Sequence, residues 1–184
     1  RALPHVVILS PADCTATVKA TLAAAKIDAP VYLRLTGGMN NPIVYKEDFN
    51  FEVGKAIELR EGSDVVIIAT GSMVHYALKA AEQLEAAGVS ASVLDMHTIK
   101  PLDTEAVTAA INEIGKVITV EDHNILNGLG SAVCEVAAEM GKGIVKRVGI
   151  QDQFGQSAPY ERLLAMNGVT VENITEIAET LVKG

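Results

Sequence analysis

The sequence predicts a three-layer α/β/α domain on a mostly parallel sheet. A strand–helix–strand piece of a second α/β domain precedes it. Three observations carry this. Short continuous apolar runs (VVILS, DVVIIATG, VITVED and IVKRVGI) alternate with helical patterns, the signature of strands buried in a parallel sheet. Hydrophobic residues make up 49% of the 184-residue chain, yet aromatics only 4% and Trp is absent. A core of Ala, Val, Ile and Leu suits helices packed on a sheet covered on both faces. Capping residues and glycines stand where strand and helix patterns meet.

The elements follow in order. Val6 to Ser10 is the first strand. Ser10 as N-cap, Pro11 at the first helical position and Asp13 at the third open a helix that runs to about Lys26. Val31 to Leu35 is the second strand, and residues 1–36 are too small a unit to fold well alone. Residues 37–54, rich in Gly, Asn and Pro, read as a linker with a short hairpin. Residues 55–184 form the main domain. There DVVIIATG is a strand, and the next helix buries Val74, Ala77, Leu78, Ala81 and Leu84 and stops at Gly88. VSASVLDMHTI is one strand, followed by a helix capped by Asp103 or Thr104. VITVED is a strand, and a helix then runs to about Met140. IVKRVGI is the last strand, and two helices close the chain, the second capped by Thr170.

Charge and composition exclude several classes. A net charge of -8 opposes binding to nucleic acid or an anionic membrane. No apolar run approaches the ~18 residues of a membrane span. Cys14 and Cys134 lie far apart without metal-ligand spacing, which fits a reducing cytoplasm. The chain opens RALPHVVILSPAD, without Met and with almost no lead-in to a strand, so a fragment of a longer protein is expected.

Candidate sites cluster at strand ends, where α/β sheets bind ligands. In NGLGSA, Gly128 and Gly130 precede a helix whose first N–H groups could face an anion. The third glycine of a dinucleotide loop is replaced by Val133, and the lysine of a phosphate loop is missing. Glu121 and Asp122 just before the turn would repel a phosphate, so a tight turn is the favoured reading. ATGSMV has one glycine, with Ser72 as a helix cap. Of the histidines, His75 is read as a surface residue, while His97 and His123 fall at strand ends. His123 with Glu121 and Asp122 could transfer a proton, but a polar residue at a subunit contact is the preferred reading. Arg34, at the end of VYLRL, suits a phosphate or carboxylate, or equally a surface ion pair.

The motifs also resemble a known family. ALPHVVILSPADCTATVKATL with APVYLRL resembles the end of the pyrimidine-binding domain of transketolases. GSDVVIIATGSMVHYALKAAEQLEAAGVSASVLDMHTIKPLD, VITVEDHNILNGLGSAVCEV and FGQSAPYERLLAMNGVTVENI are similar to their C-terminal domain. The likeness covers essentially the whole chain and is strongest to the C-terminal subunit of split transketolases. Deoxyxylulose-phosphate synthases and 2-oxo acid dehydrogenase beta subunits share the motifs more loosely.

The resemblance implies transfer of a two-carbon ketol unit between sugar phosphates with thiamine diphosphate and Mg2+. It implies that residues 1–36 are the remnant of a pyrimidine-binding domain, joined by linker 37–54 to a C-terminal domain at 55–184. It implies a homodimer and an N-terminal diphosphate-binding domain or subunit as partners. The diphosphate motif and the activating glutamate of the family are absent here, so the chain alone should bind no cofactor and be inactive. By the resemblance Arg34 contacts the substrate phosphate, although TGGMNN departs from the family's Arg-Gln-Asn continuation. No catalytic residue, cofactor contact or metal ligand is assigned, and His123 and the Gly128–Gly130 loop carry no role. A non-catalytic interaction module and a nucleotide-binding domain are the readings from other classes.

Overall fold

The computed structural model describes residues 1–36 and 41–184. The start of the linker, residues 37–40, and with it most of TGGMNN, lies outside the described residues.

The first unit is β1 (Val7–Leu9), α1 (Cys14–Ala24) and β2 (Val31–Leu33), with β1 and β2 parallel. Its helix starts later than the sequence suggests. Asp13 is the N-cap, and its Oδ1 accepts the Ala16 N–H at 2.7 Å. Ser10 instead lies just past β1, where its N–H donates to the His97 carbonyl.

The main domain adds β3 (Ile57–Arg60), β4 (Val65–Ala69), α2 (Met73–Ala86), β5 (Ala91–Asp95), β6 (Thr98–Lys100), α3 (Thr104–Glu113) and β7 (Lys116–Asn124). After these come α4 (Leu129–Met140), β8 (Ile144–Ile150), α5 (Tyr160–Met166) and α6 (Val171–Lys183). Five strands form one sheet in the order β3-β5-β4-β7-β8, all parallel except the edge strand β3. β3 was not anticipated from the sequence, because IELR is short and charged at its end. The expected hairpin is not found among the described linker residues, 41–54.

β4 shows why the sheet reads as unbroken apolar runs. Val65, Ile67 and Ala69 face α2 and α6 in one buried cluster, while Val66 and Ile68 face α3 and α4 in another. Strand side chains alternate between faces, so a strand covered on both sides is apolar at every position.

VSASVLDMHTI is two strands in different sheets, not one. β5 stays in the five-stranded sheet, and β6 leaves it to pair antiparallel with β1. The break falls at Met96–His97. The Met96 N–H still reaches the Ala69 carbonyl, while the His97 carbonyl already takes the Ser10 N–H. The three-stranded sheet β2-β1-β6 thereby docks the first unit on the main domain through backbone hydrogen bonds. No helix among the described residues is long and apolar enough to cross a membrane.

Candidate functional site

The docking brings the C-terminal ends of β1, β2, β4 and β7 together. The Gly71 N–H donates to the Ser10 carbonyl at 3.1 Å, and the Arg34 N–H to the Leu9 carbonyl at 2.8 Å. A cavity of about 110 Å3 lies at this junction, lined among others by Ser10, Tyr32, Arg34, Thr70, Asp122 and Gly128.

Arg34 lies one residue past β2, with 23% of its side chain exposed. Its Nη1 donates to the Asp122 Oδ1 at 2.7 Å and its Nη2 to the Asp122 carbonyl at 2.9 Å. The other carboxylate oxygen, Oδ2, accepts the Tyr160 hydroxyl at 2.8 Å and the Ser72 hydroxyl at 3.4 Å. One carboxylate thus gathers β2, β7, α5 and the start of α2. Burial raises the Tyr160 hydroxyl's pKa, and the Asp122 charge adds to the rise. Ser72 makes no side-chain cap on α2; it is turned to Tyr160 and Asp122 instead. A guanidinium carries five N–H donors, and Asp122 takes two of Arg34's; the other three have no partner among the described residues.

The glycine loop is an anion site that already holds its anion. The Glu121 side chain, buried at the end of β7, points into the start of α4. Its Oε2 accepts the Leu129 N–H at 2.8 Å and its Oε1 the Gly130 N–H at 2.7 Å. The free N–H groups and partial positive charge of a helix start favour an anion there. Burial raises the Glu121 pKa, and the two backbone hydrogen bonds oppose it. A Cβ on Gly128 would lie 1.9 Å from Oε2, so the glycine makes room for this carboxylate. The sequence disfavours a phosphate here because the acid would repel one; in the structure the Glu121 carboxylate occupies the helix start itself.

Glu121, Asp122 and His123 therefore part company. His123 is exposed, and its Nδ1 lies 2.8 Å from the Asn124 carbonyl and 3.8 Å from Glu121 Oε2. With both neighbouring carboxylates committed elsewhere, the three do not form one proton-transfer group. His97 is buried, stacks on Phe51 with centroids 4.1 Å apart, and has its pKa pushed down to about 4 by burial. His75 is half-buried on α2 rather than on the surface, and burial lowers its pKa.

Sequence reasoning missed Asp122 as the partner of Arg34, and Tyr160 and Ser72 as the hydroxyls that hold Asp122. No spacing in the chain links positions 34, 72, 122 and 160. It also missed Tyr45, whose hydroxyl donates to the buried Asp95 at 2.6 Å.

A parallel α/β domain carrying a second α/β unit on the C-terminal ends of its strands is the class that this fold and junction define. The chain belongs to the transketolase family: the model described as transketolase, C-terminal domain, matches residues 54–174. It is 39% identical over 180 residues to a subunit of a 6-deoxy-6-sulfo-D-fructose transketolase from Clostridium sp., covering 97% of this chain and 55% of that one. It is 38% identical over 184 residues to one subunit of an apulose-4-phosphate transketolase from Phocaeicola vulgatus, covering 100% and 58%. A solved structure described as a split-gene transketolase, inactive beta4 tetramer, superposes with a TM-score of 0.89 at 37% identity, over 100% of this chain and 59% of that one. A 1-deoxy-D-xylulose-5-phosphate synthase from Heliobacterium modesticaldum is 33% identical over 98% of this chain and 28% of its own length. The chain spans about half the length of the transketolase subunits it matches.

Proposed function

We propose that this chain is the C-terminal part of a thiamine-diphosphate-dependent transketolase that moves a two-carbon ketol unit between sugar phosphates. The observation that carries the reading is its similarity, over its whole length, to subunits of split transketolases that extend well beyond it. Its own share of the work is scaffolding and self-association, and it is inactive without an N-terminal diphosphate-binding domain or subunit. The related inactive tetramer, named for its beta chains, supports both points. We place the assembly in the cytoplasm, in keeping with two free cysteines.

Two observations support leaving the cofactor's diphosphate and metal to the partner. No group of three His, Cys, Asp or Glu among the described residues could hold the metal. The helix start that could take a diphosphate is filled by Glu121. We propose that the cofactor's diphosphate and its metal are held by the partner. The domain limits 1–36, 37–54 and 55–184 belong to the same proposal.

Arg34 is proposed as the contact to the substrate phosphate. The three donors without a partner among the described residues support this, and Asp122, itself held by Tyr160, would keep its guanidinium in place.

The test is ketol transfer from xylulose 5-phosphate by the chain assembled with its N-terminal partner, thiamine diphosphate and Mg2+. Transfer supports the reading, and none from a verified, folded assembly refutes it. Arg34→Ala should raise the KM for phosphorylated donors and spare unphosphorylated ones; an unchanged KM removes Arg34 from the site. A second reading, deoxyxylulose-phosphate synthase, is favoured by the Heliobacterium relative. Condensation of pyruvate with glyceraldehyde 3-phosphate would select it.

A further inference from the structure

Within the described part of the linker, residues 44–49 are a tied segment between the two units. Asp13 caps α1 with one carboxylate oxygen and with the other accepts the Val44 N–H at 2.7 Å and the Tyr45 N–H at 2.9 Å. The Tyr45 ring stacks on Phe49 with centroids 3.7 Å apart. Lys19 of α1 lies over the Phe49 ring and donates to the Phe49 carbonyl and to Asp48. On the far side, the Tyr45 hydroxyl reaches Asp95 at the end of β5. Residues 44–49 are thereby fastened to the first unit by backbone N–H groups and to the five-stranded sheet by one phenol.

Asp95 is the weak point of this fastening. It is fully buried, and its Oδ1 has no hydrogen-bond partner among the described residues. Its neighbours across the sheet, Ile57 on β3 and Ala69 on β4, are apolar. On the same face of the sheet α2 presents Met73, Val74 and Ala77, and α6 presents Ile174 and Ala178. The titratable groups acting on Asp95 are Tyr45 and Asp13, one a single donor and the other a carboxylate. A buried carboxylate with one donor and no cation is costly, whereas the neutral acid is tolerated there.

We propose that residues 44–49 form a proton-sensitive strap: it is held firmly over Asp95 while that carboxyl is protonated and opens more readily once ionisation draws water to it. Burial, and then the Asp13 charge, push Asp95 up to about 7, against a lowering by the Tyr45 hydroxyl. An opened strap returns the carboxyl towards its ordinary value of 3.8. Opening then releases a proton between those two values. The strap's hold is full at the acid end, is lost as pH rises towards 7, and is constant above that.

The test is hydrogen exchange at the Val44 and Tyr45 amides of the full chain, corrected for intrinsic exchange, from pH 5 to 8. Protection should fall by about tenfold per pH unit up to 7 and then level off. Asp95→Asn, neutral throughout, should remove the dependence. A carboxyl 13C titration of the parent protein needs no variant and should find Asp95 titrating near 7 rather than near 3.8. Protection that is flat with pH, a slope that survives in Asp95→Asn, or an ordinary Asp95 midpoint would each overturn the proposal.

Discussion

Glu121 and Gly128 share one space: the carboxylate oxygen that accepts the Leu129 N–H lies 1.9 Å from where a Cβ on Gly128 would stand. The contact with the side-chain carbon Cδ would be 2.8 Å. The glycine in this loop is thus set by a side chain seven positions earlier, and not by a ligand.

Gly128→Ala should therefore destabilise the domain by about 2–4 kcal/mol, since a buried carboxylate must move off its two donors. Urea unfolding measures it. A loss below about 0.5 kcal/mol would mean that Glu121 relaxes freely.

Glu121→Gln preserves shape but sets an NH2 against a backbone N–H. A loss of about 1–3 kcal/mol is expected from the unmatched donor. If the charge is what α4 needs, Glu121→Ala should regain part of its lost thermal stability in formate, a small anion able to enter the vacated place, and not in chloride. Equal effects of the two salts would refute this.

The Asp122 cluster predicts a graded pair. Tyr160→Phe removes one of several donors and should cost about 1 kcal/mol. Asp122→Ala strands a largely covered Arg34 and should cost more, about 1–3 kcal/mol after allowance for its partial exposure. Equal losses in the two variants would show that Arg34 finds another partner.

Asp95 and His97 oppose each other in the pH dependence of stability. Asp95 is raised from 3.8 to about 7, so its contribution is full at low pH and is lost as pH rises. His97 is lowered from 6.5 to about 4, so its contribution is present above 6.5 and is lost as pH falls. Between about pH 4.5 and 6.5 the two slopes cancel in the parent. Relative to the parent, Asp95→Asn should gain stability with rising pH, and His97→Gln should lose it, each by roughly 1 kcal/mol per pH unit. Urea titrations across that window decide. Parallel curves would mean that neither group titrates as its burial implies.

Much of the fold was legible in the chain. Runs such as VVIIA must be strands covered on both faces, and Asp103 and Thr170 act as the caps they resemble. Local chemistry decides these features, so short windows reveal them. VSASVLDMHTI reads as one strand because each half is a good strand; only the presence of β1 pulls residues 98–100 into another sheet. Ser10 looks like a cap because its neighbours allow it, yet its backbone is engaged with His97.

At the site, the sequence by itself placed Arg34 close to a strand's C-terminal end and read the glycine loop as a poor phosphate cradle. Charge, spacing and missing motif residues suffice for both. Tertiary structure alone decided that Asp122 takes Arg34, that Glu121 fills the helix start it seemed only to repel from, and that Tyr45 bridges to Asp95. Each depends on where a side chain from a distant strand or linker ends up. Hydrogen bonding and burial energies act over a few ångströms in space, and local sequence patterns do not encode which remote residues will come that close.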